Sequence, residues 1–85
     1  MSRQHHSLKI DPEYYRAIEK DLKRFEVRRN DRDYHVGDIL HLLEFAGGDY
    51  TGREITAGVT YILDNPAYCK AGFVIMSIKV VCINS

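Results

Sequence analysis

The sequence predicts a small α+β domain in which about five strands form a mixed sheet that curls into a barrel, with one main helix after the first strand. Its 85 residues leave room for a single domain, which we assign to residues 1–85. Only one segment has helical periodicity, and most of the remainder alternates apolar and polar residues between turn signals. Strands in this number, with one helix to cover them, are typical of α+β folds and small barrels.

The first strand and the helix are adjacent in sequence. Leu8 and Ile10 alternate with polar neighbours, which predicts a short strand. Residues 11–13, Asp-Pro-Glu, then supply a helix N-cap, a proline at the first helical position and an acid in the first turn. The helix is predicted over residues 12–23. Its core-facing apolar stripe comprises Tyr14, Tyr15, Ile18 and Leu22.

A second, charged strand follows the helix. Phe25 and Val27 point to one face of the extended segment, because side chains alternate along a strand. Arg24, Glu26 and Arg28 therefore share the opposite face.

The middle of the chain contains two turns and an apolar strand. Residues 30–33 and 36–38 have turn composition, and residues 47–49, Gly-Gly-Asp, are a strong reversal signal. Between them, residues 39–45 are almost continuously apolar, which predicts a strand covered on both faces.

Two further strands complete the sheet. The pattern from residue 54 to residue 63 alternates, and Gly58 within it indicates a bulge or bend. Residues 64–66 end that strand, residues 67–72 form a loop or a single helical turn, and residues 73–83 form the last strand. The apolar members of the alternating strand, which we expect to be buried, are Ile55, Ala57, Val59, Tyr61 and Leu63.

Composition restricts the function classes. Twelve basic and twelve acidic residues give a net charge of zero, which argues against a polybasic arm or a membrane-surface peptide. We find no signal-peptide pattern and no apolar run of about 18 residues, so we expect a cytoplasmic protein without membrane contact. Two cysteines, Cys69 and Cys82, without CxxC spacing indicate free thiols in a reducing compartment.

A metal site is not expected from the sequence. The four histidines and two cysteines show neither CxxC nor HxxxH spacing, and no cofactor motif is present. The histidines are His5, His6, His35 and His41. We expect the N-terminal His6 to be exposed, with a role beside a ligand as the alternative.

The segment 23–32 is the strongest indication of function. It contains five basic and two acidic residues, hence a local net charge of +3 within a neutral chain. Localised positive charge on a strand favours a site for phosphate or a polar ring. The alternative is a solvated face whose charges pair with one another, and the residues alone leave both readings open.

The motif Lys23-x-x-Glu26-x-Arg28 resembles the KxxExR core of the ASCH (activating signal cointegrator homology) domain, a branch of the PUA-like superfamily. The ASCH motif usually has glycine two residues before its lysine, whereas this chain has Asp21, so we expect a different backbone at the helix end. A closer resemblance is to DUF3850, a family of small single-domain proteins of bacteria and phages. The stretches that carry it are His6-x-Leu8-Lys9-Ile10, Pro12-Glu13-Tyr14-Tyr15, Phe25 to Arg32, Val36-Gly37-Asp38 and Tyr50-Thr51-Gly52-Arg53.

The resemblance implies a PUA-like barrel with a cleft beside the first helix that binds RNA or a nucleotide-like ligand. Lys23 and Arg28 would hold phosphate, and Glu26 would orient Arg28 or read a base edge. Lys9 and Arg32 would flank the entrance. The full set of candidate binding residues is Lys9, Lys23, Glu26, Arg28, Asn30 and Arg32.

Two other function classes remain open. Some small ASCH proteins are amidohydrolases that act on acylated cytidine and use the motif lysine with a threonine, in a KxxTxR version. This chain has Glu26 at the threonine position, so Lys23 and Glu26 are the catalytic candidates if it is an enzyme. The third class is a protein-interaction module. Exposed apolar residues 80–83 also allow a weak homodimer through edge pairing, as the alternative to a monomer.

Overall fold

The computed structural model describes residues 3–84, and its elements follow the predicted strand-helix-strand-strand-strand-strand order. The elements are β1 (His5–Ile10), α1 (Pro12–Glu19), β2 (Phe25–Arg29), β3 (Ile39–Ala46), β4 (Asp49–Leu63) and β5 (Phe73–Asn84).

All five strands form one mixed sheet in the order β1-β3-β4-β5-β2. β1 runs parallel to β3, and the other pairs are antiparallel. The predicted five-stranded mixed sheet with one helix is confirmed, and the sheet curls into a half-barrel and not a full barrel. The two strands adjacent to the helix in sequence, β1 and β2, therefore lie at the two edges of the sheet.

Arginine side chains from β2 and the following turn reach across to β1. Arg28 Nη2 donates to the carbonyl oxygen of Lys9, and Arg32 Nη1 donates to that of Ser7, each at 2.8 Å. The two acceptors are separated by one residue, so both carbonyls point away from β3. We call these two contacts the arginine seam. They join the sheet edges through side chains instead of ladder hydrogen bonds.

The concave face of the sheet holds the core. Tyr15 and Ile18 of α1 are buried there against the inward residues of β1, β3, β4 and β5. Tyr14 and Leu22 are exposed, which corrects the predicted apolar stripe. Leu22 is exposed because α1 ends at Glu19, before it, whereas Tyr14 lies within the helix but not on the face that carries Tyr15 and Ile18.

The helix ends in a left-handed turn at Asp21, whose φ is 61°. The backbone N–H of Asp21 donates to Ile18 O, and the N–H of Leu22 donates to Ala17 O. These two bonds form a Schellman motif, which usually has glycine at this position. The expectation of a different backbone was therefore wrong, because aspartate adopts the conformation that glycine normally supplies here.

β3 is buried on one face only, so the predicted two-sided burial was wrong. Leu40, Leu42 and Glu44 are buried, whereas the alternate residues from Ile39 to Phe45 are half-buried. The glutamate is buried in this apolar strand because Arg53 of β4 pairs with it.

β4 is longer than predicted and changes register twice. Irregularities lie between Thr56 and Ala57 and between Val59 and Tyr61, on either side of Gly58. The second shift turns Tyr61 outward, leaving it 64% exposed, and Ile62 packs against the core in its place. This corrects the prediction that Tyr61 is buried.

β5 pairs with β2 from Phe73, opposite Arg29, to Ser77, opposite Phe25. Beyond Ser77 this edge of β5 is not covered by β2, and its residues from Lys79 onward are exposed.

Both cysteines are free, as predicted, with Cys69 buried and Cys82 exposed. Within residues 3–84, no helix is long and apolar enough to cross a membrane. The same residues contain no group of three or more His, Cys, Asp or Glu side chains arranged to hold a metal ion.

Candidate ligand-binding cleft

A cleft of about 670 Å³ lies between the two edge strands, beside the start of α1. One wall comes from the end of β1 and the first turns of α1, and the other from β2 and the residues leading into it. The lining residues are Lys9, Ile10, Asp11, Glu13, Tyr14, Ala17, Lys23, Phe25, Glu26, Val27 and Arg28.

Glu26 lies at the centre of the charged floor and is only 3% exposed. Its Oε1 accepts from Lys23 Nζ at 2.6 Å, and its Oε2 accepts from Arg28 Nε at 2.8 Å. A buried carboxylate is tolerated only when it is paired in this way. Glu26 therefore fixes the positions of both cations at the cleft floor.

Lys23 is held by three kinds of contact. Besides Glu26, its Nζ donates to the carbonyl oxygen of Phe25. The ammonium lies 4.8 Å from the ring centre of Phe25 and 5.5 Å from that of Tyr14, in the range of cation–π interactions. Both rings also line the cleft, so the cation and the aromatic surfaces are part of one structure.

Arg28 belongs both to the cleft and to the arginine seam. Its Nε donates to Glu26 and its Nη2 to Lys9 O, while its Nη1 makes no hydrogen bond within residues 3–84. A guanidinium has donors on all three nitrogens, so Arg28 keeps donor capacity for a ligand. Because two of its nitrogens are fixed, the orientation of the third is set.

The formal charges of the cleft cancel. Lys9, Lys23 and Arg28 are opposed by Glu26 at the floor and by two acids at the start of α1, Asp11 and Glu13. Asp11 is the N-cap residue but makes no capping hydrogen bond with its side chain. The cleft thus offers a positive floor, an acidic rim and aromatic walls, which suits a ligand that has both donors and an anionic group.

Some predicted site residues lie elsewhere. Arg32 donates to Ser7 O in the arginine seam, and the backbone N–H of Asn30 donates to Gly72 O. Neither lines the cleft, because the turn after β2 carries them past its end. Lys9, Lys23, Glu26 and Arg28 do come together, as predicted.

His6 is buried, which corrects the expectation of exposure. Its Nε2 lies 2.9 Å from Asp38 Oδ2, and its ring contacts Tyr34 edge to face at 4.8 Å. It lies outside the cleft lining. The sequence carried no local signal for this pair, since its members are 32 residues apart.

A second buried carboxylate, Glu44 of β3, pairs with Arg53 of β4. Arg53 donates from Nε and Nη2 to the two oxygens of Glu44, and Thr51 donates to Oε1. These hydrogen bonds, that of Arg53 first, lower the pKa of Glu44 although burial acts in the opposite direction. The Arg53 guanidinium also lies 4.4 Å from the ring centre of Tyr15, which anchors α1 to β4.

Residues 5–78 match the family model described as Domain of unknown function (DUF3850). The chain belongs to the DUF3850 family. The matched region of this DUF3850 domain includes every residue that lines the cleft.

A phage protein is also similar. The "Uncharacterized 12.9 kDa protein in GpA 3'region" of Escherichia phage P2 is 37% identical over 59 residues, which cover 69% of this chain and 54% of the phage protein. The chain therefore spans about half the length of this relative.

Proposed function

We propose that this DUF3850 domain binds single-stranded RNA, or a nucleotide-like ligand, in the cleft between β1 and β2. The observation that carries the proposal is the fixed pair of cations, Lys23 and Arg28, held by buried Glu26 next to two aromatic rings. The cleft volume lies within the range of about 300 to 1,000 Å³ that small-ligand sites occupy.

A nucleotide has groups that match each part of the cleft. Its phosphate would contact Lys23 and the free Nη1 of Arg28, because phosphate contacts give most of the affinity for nucleic acids. Its base would stack on the half-exposed ring of Phe25 or Tyr14. The acidic rim, Asp11 and Glu13, would accept hydrogen bonds from amino groups of the base.

The fold is consistent with the PUA-like superfamily. A helix after the first strand, a curled five-stranded mixed sheet and the Lys23, Glu26 and Arg28 motif in a cleft beside that helix all fit the ASCH branch. We include membership of this branch in the proposal, because RNA binding is the activity usually inferred for it.

The amidohydrolase alternative receives less support from the geometry. Lys23 already donates to Glu26 and to Phe25 O, and a nucleophilic amine would have to give up that arrangement. Both oxygens of Glu26 are occupied by cations, so neither is positioned to take a proton from water.

Isothermal titration of purified protein tests the proposal, using nucleoside monophosphates and short single-stranded RNA at about 50 and 200 mM salt. The variants are Lys23→Gln, which removes a floor cation, and Tyr14→Leu, which removes a half-exposed ring and its cation–π contact with Lys23 but keeps both charges of the Lys23–Glu26 pair. Arg24→Gln is the matched control, because Arg24 is exposed, its side chain pairs with Asp21, and it does not line the cleft.

We expect salt-dependent binding that weakens in both cleft variants and is unchanged in Arg24→Gln. Removing one phosphate contact should reduce the slope of log affinity against log salt by about 0.7 for a single strand. Absence of heat with every nucleotide and RNA would refute the proposal. Product formation from acylated nucleosides that is lost in Lys23→Gln would replace it with the hydrolase function.

A further inference from the structure

A cluster of one lysine and two aromatic rings lies beside the cleft, on the convex side of the sheet. Lys9 Nζ is 4.4 Å from the ring centre of Phe45 and 5.9 Å from that of Tyr50. The two rings meet edge to face, with centres 5.1 Å apart. We call these three residues the hairpin platform, because Phe45 and Tyr50 are paired across the β3–β4 hairpin.

The platform is held on regular structure. Phe45 and Tyr50 are paired neighbours on antiparallel strands, and a two-residue turn of positive-φ glycines, Gly47 and Gly48, connects those strands closely. Phe45 is half-buried and supports Tyr50, which is 51% exposed. Because its contact with Phe45 restrains the exposed ring of Tyr50, that ring loses little conformational entropy when a flat ligand stacks on it.

Lys9 links the platform to the cleft. Lys9 lines the cleft, and its ammonium lies over the Phe45 ring of the platform. Its carbonyl oxygen accepts the hydrogen bond from Arg28. A ligand phosphate bound at Arg28 would thus lie close to the residue from which the platform begins. Proteins that bind single-stranded nucleic acid combine positive charge along the backbone with aromatic rings that stack the bases, and Lys9 supplies such a charge beside Tyr50.

We propose that the hairpin platform is a second subsite, which takes the nucleotide adjacent to the one in the cleft. The inference rests on the proposed function and makes it more specific, since the ligand becomes a single-stranded oligonucleotide and not a free nucleotide. Lys9 contacts the phosphate between the two nucleotides, and the second base stacks on Tyr50. If the cluster served only to stabilise the hairpin, the affinity of the protein for RNA would not depend on Tyr50 as the ligand becomes longer.

Titration of the protein with a nucleoside monophosphate and with RNA oligonucleotides of two and four nucleotides tests the platform. Wild-type affinity should rise about tenfold, or about 1.4 kcal/mol, from the monophosphate to the dinucleotide, because a second base then stacks. In Tyr50→Leu that gain should disappear, while binding of the monophosphate stays unchanged. Tyr50→Phe should retain the gain, since the ring is kept.

Tyr68→Leu is the matched control, because Tyr68 is an exposed tyrosine in the loop between β4 and β5 and should not affect binding. An equal gain with length in Tyr50→Leu and wild type would overturn the platform and leave the cleft proposal standing. Failure of every ligand to bind would overturn both. Circular dichroism of each variant verifies that the sheet is intact.

Discussion

The imidazole of His6 and the carboxylate of Asp38 form a buried pair that attaches β1 to the turn before β3. Asp38 accepts three hydrogen bonds in all, the others coming from the backbone N–H groups of Gln4 and His35. Burial alone would raise the pKa of Asp38, but these three hydrogen bonds outweigh it and lower the pKa below its ordinary value of 3.8.

Asp38→Asn is expected to destabilise the protein by about 1 to 3 kcal/mol at neutral pH, because it removes a charged acceptor from buried donors. A carboxylate whose pKa is lower in the folded than in the unfolded state stabilises the protein at pH values above its unfolded-state pKa. This stability is lost as the pH falls through the folded-state pKa. Wild-type stability should therefore fall below about pH 4, and the fall should be smaller in Asp38→Asn. Urea unfolding across the acidic range measures both effects. The exposed Glu13→Gln serves as control, and an equal acid dependence in Asp38→Asn and wild type would contradict the assignment.

Arg53→Leu is expected to cost about 2 kcal/mol, since it leaves Glu44 buried with Thr51 as its remaining side-chain partner. The figure is reduced from the usual cost of breaking a buried pair because Arg53 is partly exposed to solvent. Thermal or urea unfolding measures the loss. Arg24→Leu breaks an exposed pair with Asp21 and should change stability by less than about 0.5 kcal/mol. Similar losses in the two variants would show that burial of Glu44 is not the cause.

Asp21→Gly is expected to stabilise the protein by about 0.5 to 1 kcal/mol. Glycine adopts a φ of 61° without the strain that a side chain causes, and this gain exceeds the loss of the exposed contact with Arg24. The midpoint of urea unfolding should rise. Asp21→Ala is the comparison, because it loses the same contact but retains the strain, and a stabilising effect of alanine would refute the explanation.

Arg32→Gln is expected to loosen β1 without unfolding the domain. It removes one of the two contacts of the arginine seam, at a cost of about 1 kcal/mol. Hydrogen exchange should become faster for the amides of β1, while those of the β4–β5 pair change less. Arg29→Gln controls for the charge, because Arg29 is exposed on β2 and contacts Phe73. Uniform acceleration across the sheet would instead indicate global destabilisation.

Cys82 is expected to react rapidly with a thiol reagent, whereas Cys69 should react only when the protein opens. Cys69 is buried and its Sγ donates to Leu63 O, while Cys82 is exposed on β5. Mass spectrometry after timed labelling distinguishes the two residues, and Cys82→Ser should abolish the fast phase. Equal rates at both sites would contradict the burial of Cys69.

The order of strands and the start of α1 were predictable because alternation and capping are local properties of sequence. The end of α1 was not, because Asp21 takes a conformation that favours glycine. The exposure of Tyr61 depends on a register shift within β4, which the alternation pattern does not reveal.

The cleft was predictable in part. The family resemblance placed Lys23, Glu26 and Arg28 together, and they are together. Alternation placed Glu26 on the face opposite Phe25 and Val27 but did not reveal its burial, which depends on the contacts with Lys23 and Arg28. The position of Asp11 and Glu13 at the cleft rim and the burial of His6 depend on tertiary packing, so no local sequence pattern predicts them.

The position of β2 at the sheet edge affects when the cleft can fold during synthesis of the chain. β2 carries the cleft floor, but its ladder partner is β5, and all of β3 and β4 lie between them in sequence. The hairpins β3–β4 and β4–β5 close short loops, and short loops form sooner than distant pairings. On the ribosome, Glu26 and its two cations must therefore wait for the last strand to emerge, so a nascent chain acquires its binding cleft only when synthesis of the domain is nearly finished.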